Sequence, residues 1–292
     1  MLPLTGSCRP RHTGPKPRLR SPGVALVLAW AALSQVACHA ASPMARPVAV
    51  RQLEGEVRGF LALSTLEGAI IADGDSVQVT HGSEVTNRLT LRFKDGSLQE
   101  ETVTFTQNGH FHLLTDHMVQ KGPVFKQPVD LAIDGSTGVA TVVYQDGHGN
   151  SKTETSRMEL PPDLANGMVS IVLKNLAPGT QSATASMIVA SPKPLLIKLD
   201  ITAAGDDWFS AGATRHKAER YRVRVDIGGV RGVMAHLLGK QPLDTLVWVL
   251  GGDCPTYLKS EGQNFAGGPV WRMELVSPSW PKTAANTAHR EK

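Results

Sequence analysis

The sequence predicts a mainly β fold: a curled antiparallel sheet, half-barrel or open barrel, with one covering helix near residues 163–176. Three observations predict it. Apolar and polar side chains alternate with a period of two, repeatedly, up to residue 276. Turn-forming dipeptides interrupt that alternation at short intervals, and a single stretch carries helical spacing instead.

The strands justify themselves in order. Leu89-Thr90-Leu91-Arg92-Phe93 puts apolar side chains at odd positions, and Val103-Thr104-Phe105 and Phe111-His112-Leu113 repeat the pattern. Successive strand side chains point to opposite faces, so each segment has one buried and one wet face. The alternation returns at residues 195–201, at 221–227 and at Trp271-Arg272-Met273-Glu274-Leu275. Asp73-Gly74, Asp95-Gly96, Asn108-Gly109, Asp134-Gly135, Asp146-Gly147 and Gly228-Gly229 punctuate the series. Such pairs supply the positive backbone angles of tight hairpins. Residues 245–250 are apolar on both faces, which predicts a central or covered strand.

One segment breaks the period. Leu164, Met168, Ile171, Val172 and Leu176 fall on one helical face. Pro161-Pro162 precede them, Asp163 is placed to cap the first free amides, and Pro178-Gly179 end the run.

The organisation follows. Residues 1–40 read as a secretory signal: Arg9, Arg11, Lys16, Arg18 and Arg20 without an acid, an apolar run over 24–37, and a small-residue exit. Residues 41–50 are a Pro-containing linker, 51–278 a single β-rich domain, and 279–292 a polar tail expected to be disordered. The protein is therefore expected to be exported, periplasmic or extracellular, and its mature chain has no second apolar run long enough to span a bilayer. The leader holds five of the 30 basic residues and none of the 26 acidic ones, so the mature chain carries 25 against 26, a net charge of −1. That removes the case for a nucleic-acid partner, which the full chain's charge of +4 would invite. Cys38 leaves two outcomes open. Val36-Ala37-Cys38 suits lipid attachment at Cys38, although Gln35 stands where a lipobox has Leu, and cleavage after Ala40 gives a soluble product. Cys254, between Asp253 and Pro255, reads as a structural thiol in a turn.

Motifs for chemistry are few. His110 and His112 share one face of a strand and are weak metal candidates, with Asp116 and His117 nearby. Phe111 and Leu113 claim the buried face, which leaves both histidines on the solvent side. Gly74-Asp75-Ser76-Val77 has the letters of a lipase nucleophile motif, but an alternating strand follows it where that motif needs a helix. Gly228-Gly229-Val230-Arg231-Gly232 and Gly239-Lys240 lack the spacing of a phosphate loop. Asp206-Asp207 and Asp73/Asp75 sit beside turn formers, where Asp bonds locally. No catalytic residue and no cofactor is expected. Trp208, Tyr221, Trp248 and Trp271 are the candidate ligand-binding residues: they line an apolar pocket if the sheet closes around a cavity, and they pack a core if it does not.

The leader, the strand order, Leu160-Pro161-Pro162-Asp163-Leu164-Ala165-Asn166-Gly167-Met168 and Gly268-Pro269-Val270-Trp271-Arg272-Met273-Glu274-Leu275 together resemble a family of uncharacterised exported bacterial β-rich proteins. The architecture is similar to the half-barrels of periplasmic lipoprotein carriers. That resemblance implies an envelope protein binding a lipid or other hydrophobic small molecule without catalysis. A structural module with a filled core that binds an envelope protein is the alternative, and a metal-dependent hydrolase using His110, His112 and His117 a third.

Overall fold

The structure, a computed structural model, describes residues 46–190, 193–211, 214–226, 242–252 and 254–276. The secretory signal with Cys38, residues 41–45 of the linker, the glycine segment 228–240 and the tail from 279 lie outside the described residues.

Eight strands come first: β1 (Val57–Thr65), β2 (Ile70–His81), β3 (Glu84–Phe93), β4 (Leu98–Asn108), β5 (His110–Lys121), β6 (Val129–Asp134), β7 (Val139–Gln145) and β8 (Ser151–Arg157). A short helix α1 (Val169–Lys174) separates them from β9 (Ser182–Val189), β10 (Leu195–Ala211), β11 (Thr214–Asp226), β12 (Thr245–Leu250), β13 (Thr256–Gln263) and β14 (Val270–Val276). All join one antiparallel sheet in the order β8-β7-β6-β5-β4-β3-β2-β1-β14-β13-β12-β11-β10-β9. Two meanders thus meet where β1 pairs β14, Leu63 opposite Met273. The sheet is not closed: its edges, β8 and β9, do not pair with each other. The expected mainly β, open architecture is what the chain adopts.

Alternation places the core. Val103, Phe105, Phe111 and Leu113 from the first meander are buried, as are Ile197, Leu199, Ile201, Tyr221 and Val223 from the second. β12 runs between β11 and β13, and Val247, Trp248 and Val249 bury both of its faces. A third cluster is aromatic, with Phe93, Phe125, Phe265 and Trp271 at ring separations of 5.4–5.6 Å.

The sheet must curl. β5 and β9 stand ten strands apart in sheet order, about 48 Å along a flat sheet at ~4.8 Å per strand. Yet Phe111 of β5 and Ala185 of β9 line the same small void. The space between is filled by the polypeptide that links the two meanders. Leu164, Met168 and Ile171 pack with the first meander's core, and Ala165, Val172 and Leu173 with the second's.

That linking segment corrects one expectation. The helix is present but spans six residues, Val169–Lys174, rather than 163–176. Asp163 caps nothing: the N-cap position is Met168, without a side-chain bond, and the Asp163 carboxylate accepts from Ser186 Oγ at 2.7 Å. Residues 163–166 run instead along the outer edge of β9. Ser186 N donates to Asp163 O, and Ala165 N donates to Ser186 O. Asn166 extends this pairing with its side chain, accepting from Ile188 N and donating to Ile188 O at 2.8 Å each. Gly167 then turns with a positive φ of 63°, a conformation that a continuous helix does not contain. The apolar positions are buried as their spacing predicts; pairing with β9 outcompetes the helix for the backbone.

Candidate functional site

Three places hold chemistry: an N-terminal strap, a polar cleft and a buried acid pair.

Residues 46–56 form the strap. Residues 46–50, expected as linker, are ordered against β5: Ala49 bridges His110, Val50 N donates to Gly109 O, and Phe111 N donates to Val48 O. β6 leaves that stretch of β5 unpaired, because its own pairing begins at Thr115. The strap next passes the end of α1. Asn175 Oδ1 accepts from Arg51 N and Gln52 N at 2.9 and 2.8 Å, and Arg51 donates to Leu176 O. Beyond it Glu54 is buried in a satisfied network. Its backbone exchanges two bonds with the Gln107 amide, and its carboxylate accepts from Gln78 and from Lys174.

An open cleft of about 640 Å³ lies between the start of the strap and β9, β10 and β11. Alternation brings its polar wall together. Tyr221 and Val223 turn into the core, so Arg222 and Arg224 point the other way. Register sets Arg222 beside Thr202 and Arg224 beside Asp200, with Ser182 and Thr184 next on β9. Arg46 adds a third guanidinium and Val48 supplies apolar surface, while Ile201, also on the lining, is 1% exposed and packs in the second core. Asp244 holds both strand arginines, at 3.5 Å from Arg222 and 3.1 Å from Arg224. Both remain about half exposed, so these ion pairs orient the guanidinium groups and add little stability. A smaller void between the linking segment and the two meanders is about 10 Å³.

The buried pair arises from a β-bulge. Phe105 pairs Leu113 but Thr104 pairs Thr115, which leaves Leu114 as the extra residue. A bulge shifts the side-chain alternation by one. Leu113 and Asp116 therefore both turn inward, and His117 turns out to a 2.9 Å contact with the exposed Asp130. Gly135 N donates to the bulged Leu114 O, and a Cβ on Gly135 would clash with the Leu113 carbonyl oxygen, so only glycine fits. Asp116 is 1% exposed, and neither carboxylate oxygen has a hydrogen-bond partner. Burial pushes its carboxyl well above the usual carboxylate range, and the nearby Glu101 pushes it further. Glu101 on β4 is raised by burial as well.

The residues singled out by sequence scatter over these features. His110 and His112 are exposed on one face, as their parity predicts. Asp116 is turned to the opposite face by the bulge and does not join them, which corrects the three-residue metal grouping. Among the described residues no group of three or more His, Cys, Asp or Glu is placed to hold a metal ion. Ser76 lies mid-strand in β2, donating to Asn87 rather than to a histidine, and Asp75 pairs Arg92. Cys254 is a free, exposed thiol.

The four candidate ligand-binding aromatics do not converge. Trp208 is 59% exposed beneath the Arg215 guanidinium. Tyr221 is buried in the second core and donates its hydroxyl to Glu219. Trp271 belongs to the aromatic cluster. Trp248 points away from Val247 and Val249; its indole donates to Asp207, Lys259 Nζ stands 4.2 Å from its ring centre, and Arg220 covers it from the neighbouring strand. Arg220 also donates to Ala204 O in the bulge between Ala203 and Asp206, fixing the bend of β10.

Sequence reading missed the strap, the cleft and Asp116. One signal was present for the last: apolar residues hold odd positions through Leu113 and even ones at Met118, with the doubled Leu113-Leu114 between.

No family model and no curated protein matches the chain. Among solved structures, the crystal structure of MucB in complex with MucA(peri) shows 10% identity and a TM-score of 0.16 over 77% of this chain and 89% of that chain, too slight a likeness to define a shared fold. Among the described residues no helix is long and apolar enough to cross a membrane.

Proposed function

We propose that the protein is an exported, non-catalytic binding protein of the cell envelope that takes an amphipathic ligand with an anionic head. The cleft carries this reading. Three guanidinium groups, two of them held in place by Asp244, border apolar surface from Val48. Guanidinium groups suit carboxylate, sulfate or phosphate heads, and the apolar surface suits the first carbons of a chain. Export rests on the leader, and the likeness to exported β-rich proteins and carrier half-barrels belongs to the same proposal. With the interior filled by residues 163–176, the ligand is read as lying in the cleft, beside the core.

Laurate, dodecylammonium and dodecanol, titrated calorimetrically, test it. Laurate is expected to bind and to weaken at least about tenfold, ~1.4 kcal/mol, in Arg222→Glu. Equal binding of dodecylammonium, or laurate binding untouched by Arg222→Glu, refutes the anionic-head reading.

A second reading is favoured by the filled interior. Trp248 and Trp271 are each 5% exposed through protein contacts alone, as a packed module that binds an envelope protein requires. Failure of all three amphiphiles to bind, with a partner recovered from the envelope fraction by crosslinking, would select it.

A further inference from the structure

Asp116 stands out among the buried acids of the described residues. Glu54 accepts from Lys174 and Gln78, and Asp163 from Ser186; Asp116 has no partner on either oxygen. The groups around it are known from each element. On β4 it faces Val103, its register partner, and Glu101. On β6 it is paired with Ile133. From the linking segment it meets the backbone of Gly167, where an added Cβ would stand 3.2 Å from Asp116 Oδ1 and 2.8 Å from Val103 Cβ. Glu101 is the charged group whose field reaches it, and it repels. Lys174, on α1, is committed to Glu54.

This geometry suits one protonation state. A neutral carboxyl buried without a partner forgoes a hydrogen bond; a carboxylate in the same place is an uncompensated buried charge, which proteins avoid by shifting the proton equilibrium or by moving the group. The element able to yield is the one resting on it. Residues 163–168 are held by a few bonds to β9, whereas β4 and β5 are paired along their whole lengths.

We propose that Asp116, with Glu101 beside it, is a proton-operated latch: protonated, it lets residues 163–168 seat against β4 and β5, and ionised, it drives that segment away and opens the inner face. The bulge at Leu114 is the device that aims the latch inward. Opening would bare the apolar surface of Phe105, Phe111 and Leu113, which is otherwise covered by Leu164 and Met168. The latch goes beyond the ligand reading and does not depend on it.

Amide hydrogen exchange of the ligand-free protein between pH 5 and 9, expressed as protection factors so that intrinsic exchange is removed, tests the latch. The amides of Ala165, Met168 and Val172, all hydrogen-bonded in the seated segment, report it. Their protection is expected to start below that of Tyr221 and Val223 on β11 and to fall by up to about tenfold per pH unit as pH rises. In Asp116→Asn the segment's protection is expected to become flat with pH. Constant protection in the native chain overturns the proposal, as does an equal fall in Asp116→Asn or a segment whose protection matches that of β11 at every pH. Should the variant not fold, the carboxyl carbon shift of Asp116 in the native chain decides: titration near pH 4 with the segment still protected overturns it. Because no amphiphile is present, failure of laurate to bind has no bearing on the outcome.

Discussion

Lys174 Nζ lies 2.7 Å from Glu54 Oε2, with only 15% and 6% of the two side chains exposed. The pair joins the end of α1 to the strap, and so ties the residues just before the sheet to the segment that fills it. Gln78 and Gln107 complete the bonding around Glu54, so this buried charge has what a buried charge needs.

Removing one member is therefore costly. Lys174→Met is expected to destabilise the fold by about 3 kcal/mol, because Glu54 is left buried without its cation. Urea unfolding measures it. A loss below about 1 kcal/mol would mean that the strap shifts and lets water reach Glu54.

Asn166 acts as a strand residue through its side chain. Asn166→Ala leaves the Ile188 amide and carbonyl without partners at a buried edge, at an expected cost of about 2 kcal/mol. Thermal unfolding of the variant beside Asn166→Asp, which keeps the acceptor but loses the donor, checks it. The Asp variant should fall between native and Ala; an Ala variant as stable as the native chain would show that the two bonds hold nothing.

Stability should rise on acidification below neutral pH. Asp116 titrates at about 9 in the fold and near 4 in the unfolded chain. Between those values the fold binds a proton that the unfolded chain has released, so stability falls as pH increases, by roughly a kcal/mol per unit. The usual buried carboxylate, whose pKa is lowered by a partner, has the opposite slope. Urea midpoints at pH 5.5 and 8 measure the effect, and Asp116→Asn should reduce it, leaving the share of Glu101, whose carboxyl burial also raises. A native chain more stable at pH 8 would rule out the buried neutral acid.

Much of the fold was legible because alternation is a local signal. Residues 89–93, 103–105 and 221–225 declare their buried faces within five residues, and all but one of the described glycine pairs mark where strands reverse; Asp73-Gly74 lies inside β2, where the glycine makes room for Leu91 and the Thr90 carbonyl. Leu164, Met168, Ile171 and Val172 declared their burial too. Their backbone path was not declared, since helical spacing over a few turns does not reveal an edge strand waiting to pair with residues 163–166. The site was much less legible. Arg46, Thr184, Asp200 and Arg224 meet across more than a hundred residues of chain, and nothing near Arg46 announces the strands it will face. The four aromatics were conspicuous by type, but side-chain type does not fix the face: Trp248 and Tyr221, on neighbouring strands, point to opposite sides of the sheet.

Local sequence alone settles the mainly β class, most of the described reversal points, the exposed placement of His110 and His112, and the apolar contribution of residues 164–172. The periodicity of side chains along a strand or helix is written locally and survives any arrangement of the rest. Only tertiary contacts settle that the open sheet curls around its own linking segment, which packs against both meanders. They also settle that the strap crosses that segment and that one extra residue at Leu114 turns Asp116 from the solvent face to the core. Those outcomes depend on strand register and on contacts between distant residues, where a shift of one position reverses every face.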